Sequence, residues 1–391
     1  MVSRCRTATA RASRPLRYFA IASMAALTAC KSDSSNGPDP DTELPAWASD
    51  FLSSAWATFP TEAQQVWQLC QDQGKVGVAG QPYTSGVNCR LALVDGFPRR
   101  YVVYVPEHPA LAGNVPVVVM HHGSSGSGEQ FLDISGWREQ ADEQGFIAIF
   151  PSGLLYEVIG EGKRTKWNDF DLPGLIDPGF RHPGYPLSAP WPANDVLFER
   201  VILDDAATSA HIDQQRIYVT GFSGGAAFTA RLAVELSDRI AAAAPFAGAF
   251  TEPHVPLERI PIMIGVGTRD DRIIETVNAT LLPGQDSVSE LPLDFDSLFA
   301  LQAVAGVRDA VAASFGLLPN SYAAEGDATF ARARFTAPVA GNTDGNVFVF
   351  GVVKGVTHQY PRGEGRRRPP NNPAGFDAAR TFWAFFSPIH K

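Results

Sequence analysis

The pentapeptide Gly221-Phe222-Ser223-Gly224-Gly225 stands directly between a β-rich run, residues 216–220, and a small-residue run, residues 226–230. A G-x-S-x-G pattern alone is common. Set between a strand and a helix it describes a nucleophile elbow, a turn so tight that it pushes a serine hydroxyl out at the top of a sheet. Side chains in place of its glycines would clash with the neighbouring strand and helix. Ser223 is therefore the candidate nucleophile. Its other reading, a cap on the following helix, needs none of the surrounding glycines.

A serine is a poor nucleophile at neutral pH without a base, a group that orients the base, and donors for the oxyanion. In a fold with such an elbow the acid and then the histidine follow the serine in the chain. The strand run 261–267 ends in Thr268-Arg269-Asp270-Asp271, an acid just past a strand's C-terminal edge. Asp270 is the favoured acid and Asp271 the alternative. His358 follows the β run 346–353, in a loop after what is expected to be the last strand, where the base is required. His254 lies between Ser223 and the acid, out of order.

The buried run 115–120 leads into His121-His122-Gly123-Ser124-Ser125-Gly126. In this arrangement one oxyanion donor is the backbone N–H after the nucleophile, here Gly224, and the other comes from a glycine-containing loop after an early strand. Ser124 is assigned that donor, with Ser125 the alternative. Adjacent side chains on an extended chain point to opposite faces, so His121 and His122 do not converge on a metal. No metal and no cofactor is expected.

Five arginines among residues 1–17 precede an apolar run, 18–27, too short to span a bilayer, which ends Leu27-Thr28-Ala29-Cys30. This resembles a bacterial lipobox, with Cys30 the acylated residue and 1–29 the signal peptide. The polar stretch that follows makes 30–46 a flexible tether. Removing residues 1–29, which hold five arginines and no acid, takes the net charge from −9 to −14, a field that disfavours nucleic-acid partners. The Arg366-Arg367-Arg368 run is expected to be a solvated loop. In an exported compartment Cys70 and Cys89 invite a disulfide.

Residues 47–391 are expected to form one α/β catalytic domain: a mostly parallel sheet with helices on both faces, an N-terminal helical extension and pocket-forming insertions. Residues 47–72 carry helix signals, with Thr61 and Gln64 as a capping box. Asp95-Gly96 signals a hairpin, Asn194 a helix start, and a final helix near 376–386 should cover the last strand. The excursion 152–193, rich in glycine, proline and aromatics, is too long for an ordinary connection. Its Trp167 and Trp191 are assigned to an aromatic substrate pocket, the other reading being rings packed on the core. Residues 278–296 form a second excursion.

Over about residues 90–390 the chain resembles the α/β-hydrolase esterase family of polyhydroxybutyrate depolymerases, feruloyl esterases and acetyl-xylan-type carbohydrate esterases, which includes lipid-anchored bacterial members. The resemblance rests on residues 99–106, His122-Gly123, Ser135-Gly136-Trp137, Trp167-Asn168, Asn194-Asp195-Val196, residues 212–225, Gly267-Thr268 with Asp270, and residues 355–361 around His358. It implies Ser223 as nucleophile, Asp270 as acid and His358 as base. The expected activity is hydrolysis of a carboxylic ester, on a polyester, an acylated polysaccharide or a small molecule. The expected molecule is an exported monomer, lipid-anchored in the cell envelope or secreted. A serine peptidase of the same fold and a non-catalytic surface-binding lipoprotein are the rival classes.

Overall fold

The computed structural model describes residues 44–108, 113–342, 345–362 and 372–391. The signal peptide, Cys30, nearly all of the tether and the Arg366-Arg367-Arg368 run lie outside the described residues.

The core is an eleven-stranded sheet in the order β1-β2-β3-β5-β4-β8-β9-β10-β13-β12-β11. Its centre comprises β5 (Ile147–Pro151), β4 (Val115–His121), β8 (Ile212–Phe222), β9 (Ala242–Phe246), β10 (Ile262–Gly267) and β13 (Phe348–Val353), all paired in parallel. Every residue of β4, β5, β9, β10 and β13 is buried, the signature of strands covered on both faces. On one side β3 (Phe97–Val105) and β2 (Gly86–Val94) add antiparallel, and β1 (Val76–Val78) closes that edge. On the other side β12 (Phe330–Phe335) and β11 (Tyr322–Gly326) run antiparallel. The β2–β3 hairpin turns at Asp95 and Gly96, both with positive φ (50° and 75°), as its right-handed twist demands.

Side-chain alternation divides the core between the two faces. On one face Val117, Val119, Ile149 and Val219 meet α6 (Asp195–Ser209), α7 (Gly224–Glu235) and α10 (Gln302–Ser314). On the other, Val118, Met120, Phe150 and Tyr218 meet α3 (Gly128–Ile134), α4 (Trp137–Gln144) and α11 (Ala378–Phe386). Asn194 caps α6 through its side chain, which accepts from Leu197 N–H. The last helix, α11, reaches farther than the last strand: Phe386 stacks on Tyr218 of β8 and Phe382 packs against Phe246 of β9.

The N-terminal extension is two helices, α1 (Ala46–Ala55) and α2 (Thr61–Asp72), around a small core of Leu52, Phe59, Ala63, Trp67 and Leu91. The expected capping box does not form. Pro60 occupies the cap position of α2, and Gln64 instead donates to the Trp56 and Phe59 carbonyls, closing the short turn between the helices. A covalent tie and a buried hydrogen bond hold the extension to the elements around it. Cys70 and Cys89 form a disulfide, joining α2 to β2. Trp67 Nε1–H donates to the buried Glu129 carboxylate of α3 at 2.8 Å. Burial alone would push the Glu129 carboxyl up, but the Arg100 guanidinium and the Trp67 hydrogen bond outweigh it and hold it at about 2.

The 152–193 excursion is a β-hairpin, β6 (Leu154–Val158) with β7 (Gly162–Lys166), followed by the short helix α5 (Leu172–Leu175) and a loop. Its apolar residues Leu154, Tyr156, Leu172, Ile176 and Tyr185 pack with Phe97 into a core of their own. Removing the disulfide by the Cys70→Ser/Cys89→Ser double substitution should cost about 3 kcal/mol on the loop-closure model. The check is the urea midpoint; an unshifted midpoint would mean that Glu129 and the apolar contacts hold the extension alone.

Candidate active site

The chemistry-bearing residues gather at the C-terminal ends of β4, β8, β10 and β13, the rim where open α/β sheets bind ligands. Ser223 follows β8 with φ 52° and ψ −120°, a conformation that L residues avoid and that packing must impose. The packing is visible. A methyl group on Gly225 would run into the carbonyl oxygens of His121 and His122, and one on Gly221 into the Gly225 carbonyl. Ser223 N–H donates to Phe246 O, and its own carbonyl accepts from Ala226 and Ala227 as α7 begins. Its hydroxyl caps nothing in α7.

His358 Nε2 lies 2.9 Å from Ser223 Oγ, and its Nδ1 lies 2.9 Å from both carboxylate oxygens of Asp270. Asp270 is fully buried and caps α8 (Asp271–Ala279), accepting from Arg272 and Ile273 N–H. Asp271, the alternative acid, is the exposed first residue of that helix. The two loops that carry Asp270 and His358 are locked together. Arg269 N–H donates to Val356 O, Gly355 N–H to Thr268 Oγ1, and any side chain at Gly267 would meet the Val356 carbonyl. His254 lies elsewhere, stacked on Phe170 at 3.7 Å.

Ser124, the residue expected to donate to an oxyanion, lies beside Gly224: a β-carbon built on Gly224 would sit 2.8 Å from Ser124 Oγ and 3.7 Å from Ser124 N. Among the described residues neither the Ser124 nor the Gly224 N–H has a partner. Ser125, the alternative, has its N–H spent on Thr165 O at 2.9 Å and its backbone turned to φ 65°.

The two tryptophans assigned to a substrate pocket both pack against neighbouring rings. Trp167 is 1 % exposed, stacked on Phe228 of α7 at 5.1 Å, and donates from Nε1 to His122 O. It braces the 122–126 loop through that bond. Trp191 packs on Tyr156 and Tyr185 within the insertion's own core. Aromatic content alone could not distinguish a pocket wall from a packed insertion, because both bury rings.

His122 is the residue whose part the sequence hid. Nδ1–H donates to Gly123 O at 2.7 Å, while Nε2 accepts from Gly153 N–H at 2.9 Å, so the neutral tautomer pins the 122–126 loop to the start of the hairpin. His121 points the other way, to Thr220 O, Thr229 Oγ1 and Glu199. Among the described residues no group of three or more His, Cys, Asp or Glu side chains could hold a metal ion.

Burial pushes the His122 imidazole down to about 4. An unfolded chain protonates it near 6.5. Between those values the unfolded state binds the extra proton, so the stability His122 contributes is whole above about 6.5 and is lost as pH falls toward 4, with a slope of up to about 1.4 kcal/mol per pH unit. His122→Gln should flatten the stability–pH curve in that window, measured by denaturant titration across pH. Parallel curves for variant and parent would refute this role.

Residues 100–282 match the dienelactone hydrolase family. NocK of Nocardia uniformis subsp. tsuyamanensis, which carries an esterase name, is 29 % identical over 46 % of this chain and 48 % of its own. The bifunctional acetylxylan esterase/xylanase XynS20E of Neocallimastix patriciarum is 28 % identical over 45 % of this chain and 22 % of its own. The poly(3-hydroxyalkanoate) depolymerase C of Paucimonas lemoignei is 28 % identical over 35 % of this chain and 29 % of its own. The chain thus spans less than half the length of each of these relatives. With its parallel sheet, its elbow after β8 and this partial family match, the chain has an α/β-hydrolase fold and is similar to the dienelactone hydrolase family and to proteins named as esterases.

Proposed function

We propose that the chain is an exported serine esterase that cleaves carboxylic esters through Ser223, His358 and Asp270. The observation that carries this reading is the line from Ser223 Oγ through the His358 ring to the buried Asp270, each step at 2.9 Å. With Asp270 accepting from Nδ1–H, His358 presents its Nε2 lone pair to the serine hydroxyl. Nε2 takes the proton as Oγ bonds to the ester carbonyl carbon, and the carbonyl electrons move onto oxygen. The Gly224 and Ser124 N–H groups are the donors for that oxyanion. Collapse expels the alcohol, which leaves with the proton from Nε2 and an acyl group on Ser223. Water then attacks by the same route, releasing the acid and the free serine. Every proton is carried by His358, so this cycle calls on no cofactor.

Export is supported by the arginine-rich, apolar leader and by the Cys70–Cys89 disulfide, a bond that persists in oxidising compartments. Acylation of Cys30 would anchor the chain at a membrane through the 30–46 tether. The catalytic domain in this reading is 47–391. Relatives named for acetylxylan and for poly(3-hydroxyalkanoate) support an ester borne on a larger molecule as the substrate class.

Purified protein should hydrolyse p-nitrophenyl acetate, and Asp270→Asn should lower kcat by about 10⁴ through the wrong histidine tautomer. Ser223→Ala should fall at least as far and lose labelling by a fluorophosphonate. Full turnover by Ser223→Ala would overturn the assignment, and preferred cleavage of a peptide amide would move it to a peptidase.

A further inference from the structure

The excursion 278–296 leaves from the end of α8 and returns to the residues just before that helix begins. Three bonds fix the return. Leu291 N–H donates to Thr268 O at 2.7 Å, and the Glu290 carboxylate accepts from Thr268 Oγ1 at 2.8 Å and from Arg269 Nε at 3.1 Å. Asn278 closes the excursion ahead of them. Its amide nitrogen donates to Val288 O at 2.9 Å, and its side-chain oxygen accepts from Val288 N–H at 2.8 Å. Leu291 is buried in the main core, which holds Glu290 in place from the other side.

Each oxygen of Glu290 serves one of two parallel links. Thr268 Oγ1 gives its hydrogen to Glu290 and takes the Gly355 N–H on a lone pair at 2.8 Å. Arg269, whose guanidinium lies on the other oxygen, donates its backbone N–H to Val356 O at 3.0 Å. Thr268 and Arg269 lead into Asp270, and Gly355 and Val356 lead into His358. One carboxylate thus engages two residues that join the Asp270 loop to the His358 loop. A threonine hydroxyl rotates until an acceptor claims its hydrogen, and an ionised carboxylate can only accept. Glu290 therefore turns the Thr268 hydrogen outward and leaves the lone pairs to Gly355. The Thr268 hydrogen bond lowers the Glu290 carboxyl below its ordinary value, with burial opposing and Arg269 assisting, so the group is ionised at neutral pH.

We propose that Glu290 is a positioning residue for the reaction at Ser223: by holding Thr268 and Arg269 it sets the His358 ring against Asp270 and Ser223. The proposal rests on the esterase reading above, in which that ring carries every proton. It gives the second excursion a part in turnover without contact with substrate. A displaced ring slows acylation and deacylation alike, since both pass a proton through Nε2. Turnover then falls while KM, which those two rates enter as a ratio, stays where it was. An excursion that only covered the core would behave differently. Loosening it would lower the fraction of competent protein and leave the turnover of each competent molecule intact.

The test is steady-state kinetics of the full chain on p-nitrophenyl acetate, with active sites counted by fluorophosphonate titration. Glu290→Ala should lower kcat per titrated site about fivefold at unchanged KM, equivalent to about 1 kcal/mol on the barrier. Glu290→Gln keeps an acceptor for Thr268 and should bring kcat back to within about twofold of the parent. Thr268→Val should fall at least as far as Glu290→Ala. Adding Glu290→Ala to it should lower kcat by less than a further fivefold, because the two act through one hydroxyl. An unchanged kcat per site in Glu290→Ala, or a loss confined to KM or to the number of titratable sites, would overturn the positioning role. A parent protein that neither cleaves the ester nor reacts with the fluorophosphonate would instead overturn the esterase reading, so the two failures are distinct.

Discussion

The site depends on a backbone that has no room to relax. Ser223 keeps φ 52° because β8 delivers the chain onto α7 through contacts that only hydrogen atoms can fill: Gly221 against Gly225 O, Gly225 against the His121 and His122 carbonyls, and Gly248 against Ser223 O. Such strain is stored where function needs a group held out from the fold. Here it lifts one hydroxyl above the sheet rim and leaves the first N–H of α7 without an internal partner beside it. The partners arrive from separate strands, and each comes on a loop that backbone hydrogen bonds hold rigid.

Around that point the molecule is organised as supports for loops. His122 fixes the 122–126 loop by donating from one ring nitrogen and accepting at the other, Trp167 braces the same loop, and Thr268 joins the loop of Asp270 to the loop of His358. Glu129 extends the scheme outward. One buried carboxylate gathers Trp67 of the extension, Arg100 of β3 and Ser152 at the hairpin's start. A buried charge is tolerable when it is paired and hydrogen-bonded, and Glu129 has an ion pair with Arg100 and a hydrogen bond on each oxygen.

What was legible in the sequence follows from this arrangement. Ser223, Asp270 and His358 sit at strand ends, and strand ends are marked by the switch from β-branched runs to glycine and polar residues. The preference for Asp270 over Asp271 came from the same cue, and the structure makes Asp270 the buried cap and Asp271 the exposed neighbour. Local signals with a single outcome also agreed with the structure, such as the Asp95-Gly96 turn and the Asn194 cap. What the sequence left open has a different cause. Whether Trp167 and Trp191 line a cleft or fill a core, whether Gln64 reaches back to its own helix or to a neighbouring turn, and what His122 touches are decided by residues far away in the chain. Periodicity carries no information about those partners.

The borders of the sheet are thin on both sides. β1 is three residues long, and β11, five residues of Tyr-Ala-Ala-Glu-Gly, is mostly exposed and carries a charge at Glu325. Open strand margins invite other chains to add on, and short, charged margins discourage it. A sheet this wide is thus bounded by strips that offer a stranger little to zip onto, so its width does not by itself invite growth from either margin.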